Sequence, residues 1–128
     1  LKQVYLAVQI EPGAAADVNI WLVNETDQTL RYSVRTGDYA SMDDDVMVGA
    51  AQQRDEKTIG PRSTMLFDTD YGWAFDFVVW WQIDLVDGDG AQHQLSATRG
   101  KYGWSDKRLW EPIPFTEKQG VLLGIGAR

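Results

Sequence analysis

Side chains in the most apolar stretch of this chain alternate between two faces, and that period of two restricts the stretch to an extended strand. Phe77, Val79, Trp81, Ile83 and Leu85 fall on one face, and Asp76, Val78, Trp80, Gln82, Asp84 and Val86 fall on the other. Successive side chains of a strand point to opposite sides of its sheet, so this run predicts a long central strand with one side turned to a core. The same period recurs from Gln3 to Ile10, where Val4, Leu6, Val8 and Ile10 oppose Tyr5, Ala7 and Gln9. It returns at Asp17 to Asn24, with Val18, Ile20 and Leu22 inward and Asn19, Trp21 and Val23 outward.

Turn chemistry separates these runs. Asn24 to Gln28 reads as a turn whose side chains bond their own backbone, and it predicts a hairpin between 17–24 and 29–36. Residues 37–56 read as a long loop with a short strand at Val46 to Val48, because three consecutive Asp residues repel one another and pair poorly in a sheet. A turn at Gly60-Pro61 precedes a strand near Ser63 to Phe67, and Tyr71-Gly72-Trp73 reads as a bend. Asp87-Gly88-Asp89-Gly90 closes a hairpin into Ala91 to Thr98, and a last strand runs from Gly120 to Gly126. No stretch keeps apolar residues at helical spacing over three turns. Short strands at roughly 8–12-residue intervals predict one all-β domain over 1–128, an immunoglobulin-like antiparallel sandwich of about seven to eight strands.

A length of 128 residues with 44% hydrophobic and 12% aromatic side chains supplies a full core. Cysteine is absent, which excludes disulfides and thiolate metal sites and leaves the compartment open, with the cytoplasm slightly favoured. The chain opens on Leu1 rather than Met, as a processed, trimmed or excised form does, and its first residues alternate instead of forming a signal-peptide run. The stretch from Ala74 to Val86 is too short, and too interrupted by Asp76 and Asp84, to cross a bilayer. A net charge of −7 argues against direct nucleic-acid binding, which needs Lys and Arg to neutralise phosphates. The charge is uneven: residues 1–98 hold 6 Lys and Arg against 16 Asp and Glu, and residues 99–128 hold 6 against 3.

No catalytic set emerges. Nucleophilic catalysis by a Cys-His or Ser-His-Asp arrangement has no Cys and a single imidazole, His93, which lies mid-strand beside Leu95 and reads as a half-buried histidine with a structural hydrogen bond. Asp87-Gly-Asp89-Gly lacks the third ligand and distal Glu of a calcium loop and reads as a turn. Asp43, Asp44 and Asp45 form a weak candidate for a hard cation, and a solvated loop is the simpler reading. A small hydrolase using paired carboxylates would need a cleft that this loop inventory hardly provides. No cofactor is expected.

Six tryptophans are the more informative feature. Trp104 and Trp110, interleaved with Lys107 and Arg108, are the first candidates for contact with a protein partner or a second copy, since Trp and Arg dominate interface hot spots. Trp80, Trp73 and Trp21, with Asp76 and Asp84 as acceptors, are the candidates for a carbohydrate platform that stacks a sugar ring.

The strand Val4-Tyr5-Leu6-Ala7 and the stretch Ile20-Trp21-Leu22-Val23-Asn24 combine with two further motifs, the turn Ile59-Gly60-Pro61-Arg62-Ser63-Thr64 and the closing Trp110-Glu111-Pro112-Ile113-Pro114. Together they resemble the accessory β-sandwich domain found beside the Smr domain in some bacterial MutS-like proteins. The resemblance implies an interaction module accompanying nucleic-acid enzymes, with no catalytic residues to carry over and no nuclease activity of its own.

Overall fold

The alternation at the start of the chain becomes two paired strands, β1 (Val4–Ile10) and β2 (Val18–Asn24), with Leu6 opposite Leu22 and Ala7 opposite Trp21. The computed structural model describes residues 3–10, 18–42, 45–48, 52–53, 56–70, 78–99, 107–123 and 126–127. Further strands are β3 (Leu30–Met42), β4 (Asp45–Val48), β5 (Gln52–Gln53), β6 (Lys57–Ile59), β7 (Ser63–Asp70), β8 (Val78–Val86), β9 (Gln92–Arg99), β10 (Glu111–Pro112), β11 (Gln119–Leu123) and β12 (Gly126–Ala127). Seven of the twelve are five residues or longer, and a single 3₁₀ turn at Lys107–Leu109 is the one helical element among the described residues.

The strands form two antiparallel sheets, one ordered β10-β11-β1-β2-β7 and the other β12-β9-β8-β3-β4, with β5 and β6 also paired to β3. The fold is therefore the all-β sandwich that the alternation predicts. Val4, Leu6, Val8, Val18, Ile20 and Leu22 of the first sheet meet Leu30, Tyr32, Val34, Trp81, Ile83, Leu85 and Leu95 of the second in one buried cluster. Trp81, Ile83 and Leu85 on β8 are each at most 1% exposed, while Trp80, Gln82 and Val86 on its other face are half-buried and Asp84 is exposed. Burying side chains of this size stabilises the fold by about 1.5–3 kcal/mol each.

Three expectations are corrected. β2 and β3 do not form a hairpin: β2 pairs with β1 and β7, and β3 pairs with β8, so residues 25–29 cross from one sheet to the other. An inward-facing alternation is the same whether the neighbouring strand lies beside or across, so the pattern cannot tell a hairpin from a crossover. The short strand expected at Val46–Val48 is present as β4, but the rest of 37–56 is not a loop throughout, because β3 continues to Met42 and pairs with β4 from Met42↔Asp45 to Tyr39↔Val48, and β5 follows. Ladder bonds on both sides of β3 outweigh the low strand propensity of that region. Val23 does not face solvent: with Ala7 it is buried on the outer side of the first sheet, under Ile113.

The last two strands serve one sheet each. β11 lies beside β1, with Val121 opposite Val8, and β12 lies beside β9, with Gly126 opposite Ser96. Gly120 is required at the first of these pairings, because a Cβ there would overlap the carbonyl oxygen of Val8.

Candidate interaction surface

Three large apolar side chains stand about half exposed among the described residues: Leu66 at 50%, Leu109 at 53% and Phe115 at 53%. Leu66 belongs to the outer side of the first sheet, Phe115 to the segment that crosses it, and Leu109 to the 3₁₀ turn just before that segment. The sheet's registers align Leu122, Ala7, Trp21 and Leu66 in one row, and Tyr5, Val23 and Thr64 in the next. Trp21 is half-buried, and its ring N–H donates to Gln9 Oε1 at 2.9 Å. Above these rows runs residues 110–115. Glu111 and Pro112 pair with β11, Ile113 packs on Ala7 and Val23, and the Pro114 carbonyl accepts a 2.7 Å hydrogen bond from Thr64 on β7. The segment thus spans the sheet from the β11 side to the β7 edge and ends in Phe115.

Phe115 is held in an unusual conformation. Thr116 N–H and Oγ1–H both donate to the Ile113 carbonyl, at 3.2 and 2.8 Å, and Ile113 N–H donates to the Lys118 carbonyl at 2.9 Å. In this four-residue turn Pro114 takes the second position, which its ring favours, and Phe115 takes the third with φ +62°. That region suits Gly or Asn and penalises a bulky side chain. An aromatic ring is therefore presented to solvent at a backbone cost. The Gly60-Pro61-Arg62-Ser63 turn repeats the pattern, with Arg62 at φ 45° and its guanidinium 2.6 Å from Asp27 Oδ1.

A polar cluster organises the loop end of the sandwich. Asn24 is fully buried; its Nδ2 donates to the carbonyls of Gln28 and Gly60, both at 2.9 Å, and its Oδ1 accepts from Thr26 N–H and Oγ1–H. Gln28 Oε1 accepts from Gly88 N–H at 2.9 Å, tying this loop to the β8–β9 hairpin. In that hairpin Asp87 Oδ1 accepts from the amides of Asp89 and Ala91, Asp87 Oδ2 lies 3.1 Å from His93 Nε2, and Gly90 has φ +84°. The hydrogen bond from His93, followed by those of the two amides, holds the Asp87 carboxyl below its ordinary value. A carboxyl held low is a poor general acid, and the His93 nitrogen facing it is already engaged, so the pair locks a turn. The hairpin and the half-buried, bonded histidine are as the spacing predicts.

Beside the polar cluster lie two solvent-open hollows. One of about 600 Å³ is lined by Asp84, Leu85, Val86, Gln92, His93 and Gln94, and one of about 310 Å³ by Gln3, Thr26, Asp27, Gln28, Leu30 and Asp87. Their linings mix carboxylate, amide, hydroxyl and imidazole groups with Leu and Val residues. Tyr5, at the edge of the outer face, has its hydroxyl pushed up to about 12 by burial, then by its hydrogen bond to Glu25 and the charges of Glu25 and Glu111. It stays a neutral phenol.

The sequence candidates separate in space. Arg108 is exposed and Trp110 half-buried on the run leading into Glu111–Ile113; Lys107 begins the 3₁₀ turn, its side chain lies outside the described residues, and Trp104 lies outside them altogether. Trp21 and Trp80 face outward from opposite sheets and cannot share one platform. Trp80 lies in a row with Gln82, which accepts from Arg35 at 3.2 Å, and Asp84, which accepts from Gln94 at 3.1 Å. Trp73, Asp76, Asp43 and Asp44 lie outside the described residues; Asp45 starts β4, with its side chain outside the description. Among the described residues no three His, Asp or Glu side chains converge as metal ligands, and no helix is long and apolar enough to cross a membrane.

Leu66 and Phe115 were not legible as surface residues. Leu66 sits in an ordinary strand pattern, and the signal at Phe115 was a proline turn with no glycine at its third position. Comparison with protein families, curated proteins and solved structures finds no match to this chain.

Proposed function

We propose that this chain is a non-catalytic interaction module whose partner is another protein. The observation that carries the reading is Phe115, an aromatic ring half exposed on a turn bonded at both ends and kept at a backbone angle that a smaller residue would adopt more easily. Strain and exposure together are costs that a contact would offset. Arg108 and Trp110 lie on the same segment, which matches the Trp and Arg content of interface hot spots. The strand order supports an immunoglobulin-like reading of the sandwich. What supports it is β1, β2 and β7 together in one sheet and β4, β3, β8 and β9 in the other. A place beside nucleic-acid enzymes, as the family resemblance implies, would supply a protein partner.

The test is photo-crosslinking in source cells, with benzoylphenylalanine at position 115, at position 66 and at exposed Gln94 as control. Crosslinks to one defined protein from 115 and 66 but not from 94, weakened when Lys107 and Arg108 are replaced by Glu, support the reading. Equal labelling from all three positions, or a product that is only a second copy of the chain, removes it.

Carbohydrate binding is the second reading, supported by half-buried Trp80 in a row with Gln82 and Asp84. Titrating tryptophan fluorescence with a panel of polysaccharides discriminates: a flat response to every glycan ends it.

A further inference from the structure

Asn24, Glu25 and Thr26 form an Asn-x-Thr triplet, the acceptor motif for N-linked glycans, and it occurs once in the chain. Such a triplet belongs in a surface loop, because the glycan is bulky and hydrated. Here the acceptor itself is closed off: Asn24 is 0% exposed, although Glu25, Asp27, Gln28 and Thr29 around it are exposed. An amide nitrogen has two hydrogens, and Asn24 Nδ2 uses both, on the carbonyls of Gln28 and Gly60 at 2.9 Å. The partners fix that orientation, since the Thr26 N–H can only donate and the carbonyls can only accept. A carbon bonded to Nδ2 in place of either hydrogen would point at an oxygen too near to admit it. The hydroxyl of the triplet is engaged as well, Thr26 Oγ1–H donating to Asn24 Oδ1 at 2.6 Å.

We propose that Asn24 is an N-glycan acceptor in the unfolded chain alone, and that a glycan there blocks closure of the sandwich. In the transfer, Asn24 Nδ2 attacks the anomeric carbon of an oligosaccharide carried on a polyprenyl pyrophosphate. The C–N bond forms as the bond from that carbon to the pyrophosphate oxygen breaks. The lipid pyrophosphate leaves, and one Nδ2 proton passes to a base of the transferase. The product keeps a single N–H, so at least one of the two carbonyls loses its donor and is left buried without a partner. Both carbonyls lie on connections between the sheets: residues 25–29 lead from β2 to β3, and Gly60 leads from β6, paired with β3, to β7. A sugar wedged between them therefore holds the two sheets apart. Order of events decides the outcome. A chain that folds first keeps Asn24 for its own backbone, and one modified first cannot. Partner binding through Phe115 neither requires nor opposes this.

Cell-free translation of the full chain behind a cleavable signal sequence, into microsomes that carry out the transfer, is the test. An excess of a short Asn-x-Thr acceptor peptide supplies the unglycosylated comparison. Chains glycosylated at Asn24 should be digested by protease once the membranes are dissolved, while unglycosylated ones resist. The resistant fraction should differ about tenfold or more, as when a marginally stable fold is lost. Ile83→Asp puts a charge in the core and should be glycosylated at least as fully as the natural chain. A natural chain left unmodified beside a modified Ile83→Asp chain meets the same expectation, because folding has then closed the site. Joining Thr26→Ala to Asp27→Asn moves the acceptor to exposed position 27, ahead of Gln28 and Thr29. A glycan there should leave protease resistance as it is in the same variant without one. The proposal is overturned if chains glycosylated at Asn24 resist protease like unglycosylated ones, if the Ile83→Asp chain is not modified, or if purified folded chain accepts the glycan at Asn24. Equal loss of resistance from a glycan at position 27 would overturn it too, by assigning the effect to bulk rather than to the buried amide.

Discussion

In the hairpin between β8 and β9, His93 Nε2 lies 3.1 Å from Asp87 Oδ2, while the other carboxylate oxygen takes the amides of Asp89 and Ala91, each at 2.9 Å. An ionised carboxylate only accepts, so the Nε2–H must donate. Asp87 ionises below its ordinary value of 3.8, with the His93 bond the largest cause. A carboxyl lowered by folding stabilises the native state fully above its unfolded value, and that contribution fades as the pH falls through the lowered one. The stability difference between the natural chain and Asp87→Asn, from urea unfolding, should therefore be constant at neutral pH and shrink only below 3.8. In His93→Ala the Asp87 carboxyl, followed by ¹³C NMR, should titrate closer to 3.8. An unmoved titration would assign the effect to the two amides instead.

Asn24 links three segments through one fully buried side chain, as its amide bonds the carbonyls of Gln28 and Gly60. Asn24→Asp keeps the shape but turns an oxygen toward both carbonyls. The expected loss is about 3 kcal/mol, as for a buried donor replaced by an unsatisfied acceptor. Urea unfolding measures it; a loss indistinguishable from that of a surface substitution would show that the network does not hold the crossover.

Gly120→Ala should destabilise by about 2 kcal/mol or more, because the new Cβ would overlap the Val8 carbonyl and push β11 from β1. Gly90→Ala is the contrast. Open space surrounds that position, and only its φ of +84° opposes the change, so the cost should stay near 1 kcal/mol. Equal effects at the two glycines would contradict the steric origin at Gly120.

Phe115→Gly should raise the stability of the isolated chain by about 1 kcal/mol, by relieving the left-handed backbone at φ +62°. The same substitution should weaken partner crosslinking from position 66. Stability and association would then move in opposite directions, the signature of a residue retained for contact; a melting temperature that falls would show the ring to be a structural plug.

Alternation alone specified which residues turn inward. Trp81, Ile83 and Leu85, and likewise Val18, Ile20 and Leu22, sit in the core because a strand's geometry leaves each side chain one of two faces. Turn chemistry was equally local. Asp87 bonds amides two and four residues ahead, and Gly90 supplies the positive φ, so that hairpin could be read from its own residues.

Tertiary structure decided what short-range rules leave open. The registers of β2 against β7 and of β3 against β8 divide two similar strands between two sheets, because each inner face is buried equally well beside or across from its neighbour. Ladder bonds on both sides of β3 extend it through a region of weak strand propensity. The crossing of residues 110–115 buries Val23 and brings Phe115 to the β7 edge. Each of these depends on contacts between residues far apart in the chain, and no local period encodes which distant strand becomes a neighbour.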